Sequence, residues 1–135
     1  MTGASGHGEL TRDIFDAVGR GDFDLAVALF RPDAVWESEV LEARFVGTDE
    51  IRAFMERWSL AYDGFEIEAQ DITDYGSGVL LCQFMNRQGP DGDEPPLRFA
   101  LTVVWRDGLV AHVLASEDLE RAQAGASRLA GSIAT

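Results

Sequence analysis

The sequence predicts an α+β domain, a cone-shaped α+β barrel in which a strongly curved antiparallel or mixed sheet is covered by three N-terminal helices and followed by a short C-terminal helix. Three observations carry this expectation. Apart from one short strand pair, the apolar residues before Asp63 recur at helical spacing, whereas those after Phe65 alternate, so helices and strands segregate along the chain. The alternating half is divided by turn residues that suit consecutive hairpins. Finally, 135 residues with 46% hydrophobic side chains suffice for one buried core but not for two domains. A twisted sheet beneath three helices leaves a conical space between the layers, and a cavity results wherever the helices fail to fill it.

Each element has its own signal. Residues 1–8 are small and polar without periodicity and are expected to form a flexible end, so the domain is placed at 9–124 and a tail at 125–135. Leu10, Ile14, Phe15 and Val18 share one helical stripe, and Gly21 follows where a left-handed terminator belongs, which predicts a first helix over 9–20. Asp22 can cap a second helix through Phe23, Ala26, Val27, Leu29 and Phe30, stopped by Arg31-Pro32. A short strand over 34–38 pairs with a return through Arg44-Phe45-Val46. Thr48 opens the third helix, with Ile51, Phe54, Met55, Trp58 and Tyr62 on one face and Asp63-Gly64 as its end. Strands then follow over 65–70 and 79–87, a polar loop over 88–96, and a strand in which Phe99, Leu101, Val103 and Trp105 alternate with Arg98, Thr102 and Arg106. Asp107-Gly108 turns this strand into the last one, 109–116, and an Ala-, Glu- and Arg-rich stretch over 117–130 forms a terminal helix.

Composition narrows the partners. With 24 acidic residues against 11 Lys plus Arg the formal charge is −13, which repels nucleic acid and anionic membrane surfaces at long range. Cys82 alone cannot close an intramolecular disulfide, and with only His7 and His112 no Cys/His zinc cluster can be assembled. No apolar run approaches the length of a membrane span, and the N-terminus lacks the pattern of a secretion signal. The expectation is a reduced cytoplasmic protein without metal or cofactor, whose partners are a small hydrophobic molecule and a second copy of the chain in a homodimer.

Four stretches in order, Gly21-Asp22-Phe23, 32–37 (Pro-Asp-Ala-Val-Trp-Glu), 47–54 (Gly-Thr-Asp-Glu-Ile-Arg-Ala-Phe) and 105–110 (Trp-Arg-Asp-Gly-Leu-Val), resemble the SnoaL-like family of the nuclear transport factor 2-like superfamily. The resemblance spans about 9–124 and implies the fold more strongly than any chemistry, because similar proteins include polyketide cyclases, ketosteroid isomerases and epoxide-hydrolase-like enzymes. Transferred position by position, it implies missing catalytic groups. The isomerase base would fall at Ser38, two residues beyond Trp36, and the isomerase oxyanion donors at Ile14 and Leu101; none of the three can play its part. The strand acid of the cyclases and epoxide hydrolases would fall at Ala115, and a slip of one residue reaches only Leu114 or Ser116. A slip of two reaches Glu117.

Glu117 is therefore the one weak catalytic candidate. Placed against apolar walls it would have a raised pKa and could act as acid or base, whereas a solvated strand end supporting the terminal helix is the plainer reading. Trp36, Phe54, Trp58, Tyr62 and Trp105 are candidate aromatic walls of a ligand cavity, with Leu101, Val113 and Ala115 on its sheet side, and Ser38 and Gln83 as polar groups among them. Core packing explains the same aromatics equally well. His112 should face away from the cavity, toward solvent or an association surface, and Cys82 reads as a small apolar residue. Three functions stay open on the sequence: a binder of a small hydrophobic molecule, an enzyme of cyclase, isomerase or hydrolase type with relocated groups, and a dimeric interaction module with its interior packed shut.

Overall fold

In a computed structural model the backbone is described at 2–39, 42–61, 67–88 and 94–134, and the side chains at 7–18, 20–39, 42–57, 72–83 and 99–132. The elements run α1 (Thr2–Arg20), α2 (Phe23–Ala28), β1 (Phe30–Ser38), β2 (Ala43–Val46), α3 (Thr48–Ala61), β3 (Ile67–Gly76), β4 (Val79–Gln88), β5 (Glu94–Arg106), β6 (Leu109–Ser116) and α4 (Leu119–Ala134). The six strands form one mixed sheet in the order β2-β1-β6-β5-β4-β3, antiparallel throughout except for the parallel pair β1–β6. The expected α+β class with a mixed sheet is borne out.

The two faces of this sheet hold different cores. Toward the inner face, Ile14, Phe15 and Val18 of α1, Ala26 of α2 and Ile51, Phe54 and Met55 of α3 join a cluster with Trp36, Leu80, Leu101, Val103 and Val113. Burying the predicted helical stripes against the alternating strand residues is what fixes both periodicities in one layer. On the outer face, Ala122, Ala126 and Ala130 of α4 pack on Val79, Leu81, Ala100 and Val104. Small side chains let the helix backbone approach the sheet closely.

Local chemistry explains the boundaries. Gly21 takes φ +78° and its N–H closes on the Val18 carbonyl at 3.1 Å, ending α1, while the Asp22 carboxylate accepts from Leu25 N at 3.2 Å to start α2. Both tight hairpins have positive φ at their two central residues, Ser77 and Gly78 (58° and 80°) and Asp107 and Gly108 (55° and 81°), the mark of a type I′ turn. A Cβ on Gly78 would lie 2.3 Å from the Trp105 carbonyl oxygen, and Trp105 N donates to the Gly78 carbonyl at 2.7 Å. Backbone contact therefore fixes the first hairpin against β5.

Several boundaries differ from the sequence reading. Helix α1 begins at Thr2, so the expected loose end is helical, with the His7 carbonyl accepting from the Thr11 hydroxyl at 2.7 Å and the His7 ring stacked on Trp105 at 5.3 Å. Helix α2 ends at Ala28, and β1 already starts at Phe30 and runs through Pro32. Proline lacks the N–H that a ladder needs, and the β1–β6 register shifts between Phe30 and Val35 as a result. Strand β5 begins at Glu94, opposite Gln88, inside the expected loop. Helix α4 continues to Ala134, and the burial of Ala126 and Ala130 makes the first part of the supposed tail a packed element of the domain.

Candidate functional site

The inner face can be followed strand by strand through its register. One row crosses the sheet as Phe45, Trp36, Val113, Val103 and Leu80, and the neighbouring row as Ala43, Ser38, Ala115, Leu101, Cys82 and Ile72. Of the residues predicted to line a cavity, Trp36, Ser38, Leu101, Val113 and Ala115 thus lie on one face, and Phe54 comes down onto it from α3, its ring 5.5 Å from that of Trp36. The second row is narrow at one end, where serine and alanine stand side by side. Phe30 stacks near Trp36 at 6.5 Å and Phe45 against Phe54 at 4.4 Å, which completes an aromatic corner over β1 and β2.

Two of the three tryptophans can be compared there. Trp105 Nε1 donates to the Thr11 hydroxyl at 2.9 Å, and that hydroxyl in turn donates a hydrogen bond to the His7 carbonyl, so the indole is fully satisfied. Trp36 is 1% exposed and its Nε1 has no hydrogen-bond partner. Such a buried donor is unusual, since the large majority of buried polar atoms are paired.

The buried part of the inner face is also without charge. Among the described residues, the buried polar side chains are Thr11, Ser38, Thr102 and Ser116, and none is an acid or a base. Cys82 is the buried group there that could ionise, and desolvation pushes its thiol up to about 12, so it remains a neutral, unreactive thiol. No group of three His, Cys, Asp or Glu among the described residues is placed to hold a metal ion, and no helix among them is long and apolar enough to cross a membrane.

Two predicted site residues are placed elsewhere. Gln83 pairs with Ala100 across β4–β5 and so shares the outer face with it. The reason is that β4 is buried on both sides, by the inner core at Leu80 and Cys82 and by the α4 contact at Val79 and Leu81, which erases the alternation that would have shown its parity. Glu117 is exposed in the bend after β6 and does not reach the inner face. The adjacent Asp118 is the residue that starts α4, its carboxylate accepting from Arg121 N at 3.1 Å and its carbonyl from Ala122 N at 3.0 Å. Trp58 lies on α3 with its side chain outside the described residues, and Tyr62 lies outside them altogether.

The outer face collects the polar groups. His112 is half-buried there, its Nε2 3.7 Å from Glu37 Oε1, which in turn pairs with Arg44 Nε at 3.5 Å. Burial holds the imidazole below its ordinary pKa, against the opposing pull of Glu37. A groove of about 460 Å³ runs between α4 and the β5–β6 strands, bounded by Glu39, Leu114, Arg121 and Leu129, and a cleft of about 350 Å³ lies near Arg31, Arg106 and His112. None of the predicted cavity residues lines either hollow. The sequence offered little warning of the groove, because its walls are single residues from separate elements.

Comparison with known proteins agrees with this architecture. The family model described as a SnoaL-like domain matches residues 11–113. Among solved structures, the chain is similar to Bal32a from a soil-derived mobile gene cassette, with a TM-score of 0.74 and 18% identity over 84% of this chain and 89% of that one. It is similar to a putative polyketide cyclase from Sinorhizobium meliloti, with a TM-score of 0.69 and 24% identity over 80% and 94% of the two chains. It also resembles TerC co-crystallised with polyporic acid, at a TM-score of 0.70 and 14% identity, over 87% and 95%. No curated protein matches the chain.

Proposed function

The chain belongs to the SnoaL-like domain family, and on that premise we propose that it binds a small hydrophobic molecule in an apolar, aromatic-walled cavity between the inner face of the sheet and the helices. The observation that carries this reading is the combination of an aromatic corner with an inner face that has no buried acid or base among the described residues. Acid–base turnover of the cyclase, isomerase or hydrolase kind needs a carboxylate or imidazole within hydrogen-bond reach of the reacting atom. Ala115, Ser38 and Leu101 offer none, and Glu117 stands in solvent. An apolar wall with a few polar atoms remains a good solvent for a neutral organic molecule. The fold of TerC, co-crystallised with polyporic acid, lends this reading further support. A homodimer through the part of the outer face that carries Val35, His112 and Leu114 belongs to the same proposal.

Native mass spectrometry of the protein as purified, followed by titration with N-phenyl-1-naphthylamine, tests the reading. A retained small molecule, or a bright saturable dye signal that the retained molecule displaces, is the expected result. An empty protein that leaves the dye dark would overturn it. Light scattering during chromatography gives the subunit count in the same preparation.

A further inference from the structure

The unsatisfied indole of Trp36 says what kind of molecule the inner face is built to hold. Phenylalanine at this position would keep an aromatic ring between Phe30 and Phe54, with some loss of volume, and would leave no donor stranded. A buried N–H without an acceptor is unfavourable by about as much as a lost hydrogen bond. Its counterpart Trp105 shows that this fold can satisfy such a donor internally when the indole is purely structural, through Thr11 and the His7 carbonyl.

We infer that Trp36 Nε1 is the polar handle for the bound molecule, and that this molecule is neutral, with an apolar frame and one acceptor oxygen such as a ketone. The inference rests on the cavity reading above. Neutrality follows from the surroundings. Among the described residues no buried side chain of the inner face is a cation to accept a carboxylate or phosphate or an anion to accept an amine; Arg57, over the Phe45 ring, and Asp74, in register with Leu80, are exposed, and the Cys82 thiol carries no charge. An ionic ligand would have to be desolvated without a counter-charge, which is far less favourable than burying one carbonyl against one N–H. Trp36 would then discriminate by pairing: a molecule that lacks the oxygen leaves the donor stranded, and a molecule with it restores the bond.

The test uses two probes with the same fused-ring frame, α-tetralone with a ketone and tetralin without, titrated into ¹⁵N-labelled wild type and Trp36→Phe. The indole cross-peak missing from the variant identifies Trp36. The expected result is a downfield move of that peak with α-tetralone but not with tetralin, and an affinity ratio of ketone to hydrocarbon that falls about tenfold on Trp36→Phe. If both probes bind, the ratio is the same in the two proteins and the peak does not distinguish them, the handle is overturned while the cavity reading stands, and a buried water satisfies the indole instead. If neither probe binds the wild type, the cavity reading itself has failed. Should Trp36→Phe not fold, Trp58→Phe and Trp105→Phe assign the Trp36 peak by elimination, and that wild-type peak with the two probes decides alone.

Discussion

The two faces of the one sheet differ in chemistry although they are built from the same strands. Inward, β1, β6, β5 and β4 present Trp36, Val113, Val103 and Leu80 in one row and Ser38, Ala115, Leu101 and Cys82 in the next. Outward, one half of the sheet is closed by the alanines of α4 and the other half carries His112, Glu37 and Arg44. A strand with period two can serve both roles at once, because shifting by one residue changes face. The lesson is that the charged groups of β1 and β6 face outward, whereas the buried side chains that face inward are apolar or neutral.

The sorting can be broken at its strongest point first. Leu101→Ala on the inner face, where the leucine is 1% exposed, should destabilise by about 3 kcal/mol, and Leu114→Ala on the outer face, beside the groove, by less than about 1 kcal/mol. Urea denaturation of both variants checks this, and equal losses would show that the outer face is packed as tightly as the inner. A smaller effect is expected at the attachment of α4. Asp118→Ala removes the side-chain acceptor of Arg121 N and should lower stability by about 1 kcal/mol, while Glu117→Ala, one residue earlier and exposed, should leave it unchanged.

The smallest effect is a pH dependence. His112 has a folded pKa below its ordinary 6.5, so between those two values the unfolded chain binds more protons than the folded one. Its contribution to stability is complete above pH 6.5 and is lost as pH falls toward the lowered value, with Glu37 tempering the shift and Arg44 and Arg106 deepening it. Melting temperature against pH, compared with His112→Phe, should show a shallow fall below pH 6.5 that the variant lacks. A fall of the same steepness in both proteins would assign it to other groups.

How much of this was legible in the sequence depended on whether an element is buried on one side or two. The third helix could be read directly because it pairs an apolar face with a polar one, the Asp107-Gly108 turn because its residues suit positive φ, and the Phe99 to Trp105 alternation because Arg98, Thr102 and Arg106 mark its other face even though α4 covers Ala100 and Val104 there. Strand β4 could not, since α4 covers the face that would otherwise be polar, and Gln83 was consequently given the wrong side. Helix α4 itself was undervalued for a related reason. Ala126 is fully buried, but alanine and glycine give almost no hydrophobic signal even where they pack best. Trp36, Ser38, Leu101, Val113 and Ala115 share one face as their parity predicts, whereas Glu117 stays exposed, because facing parity extends to Glu117 only if the strand does, and β6 stops at Ser116. The stranded indole of Trp36 had no signature in the sequence, which names a donor but never says whether an acceptor will meet it.

The parallel union of β1 with β6 sets the order in which the molecule can be finished. Glu39 and Ser116, 77 residues apart in the chain, meet through the Ser116 hydroxyl at 3.2 Å, just past the Ser38–Ala115 end of that union. During synthesis the first strand therefore waits with an unpaired edge until β6 has left the ribosome. Closing so long a loop is slow and leaves that edge open to stray pairing. A ribosome stalled before Leu109 would hold a chain whose opening strand has no lasting neighbour but β2, so chaperone dependence during translation should centre on the first forty residues rather than the last.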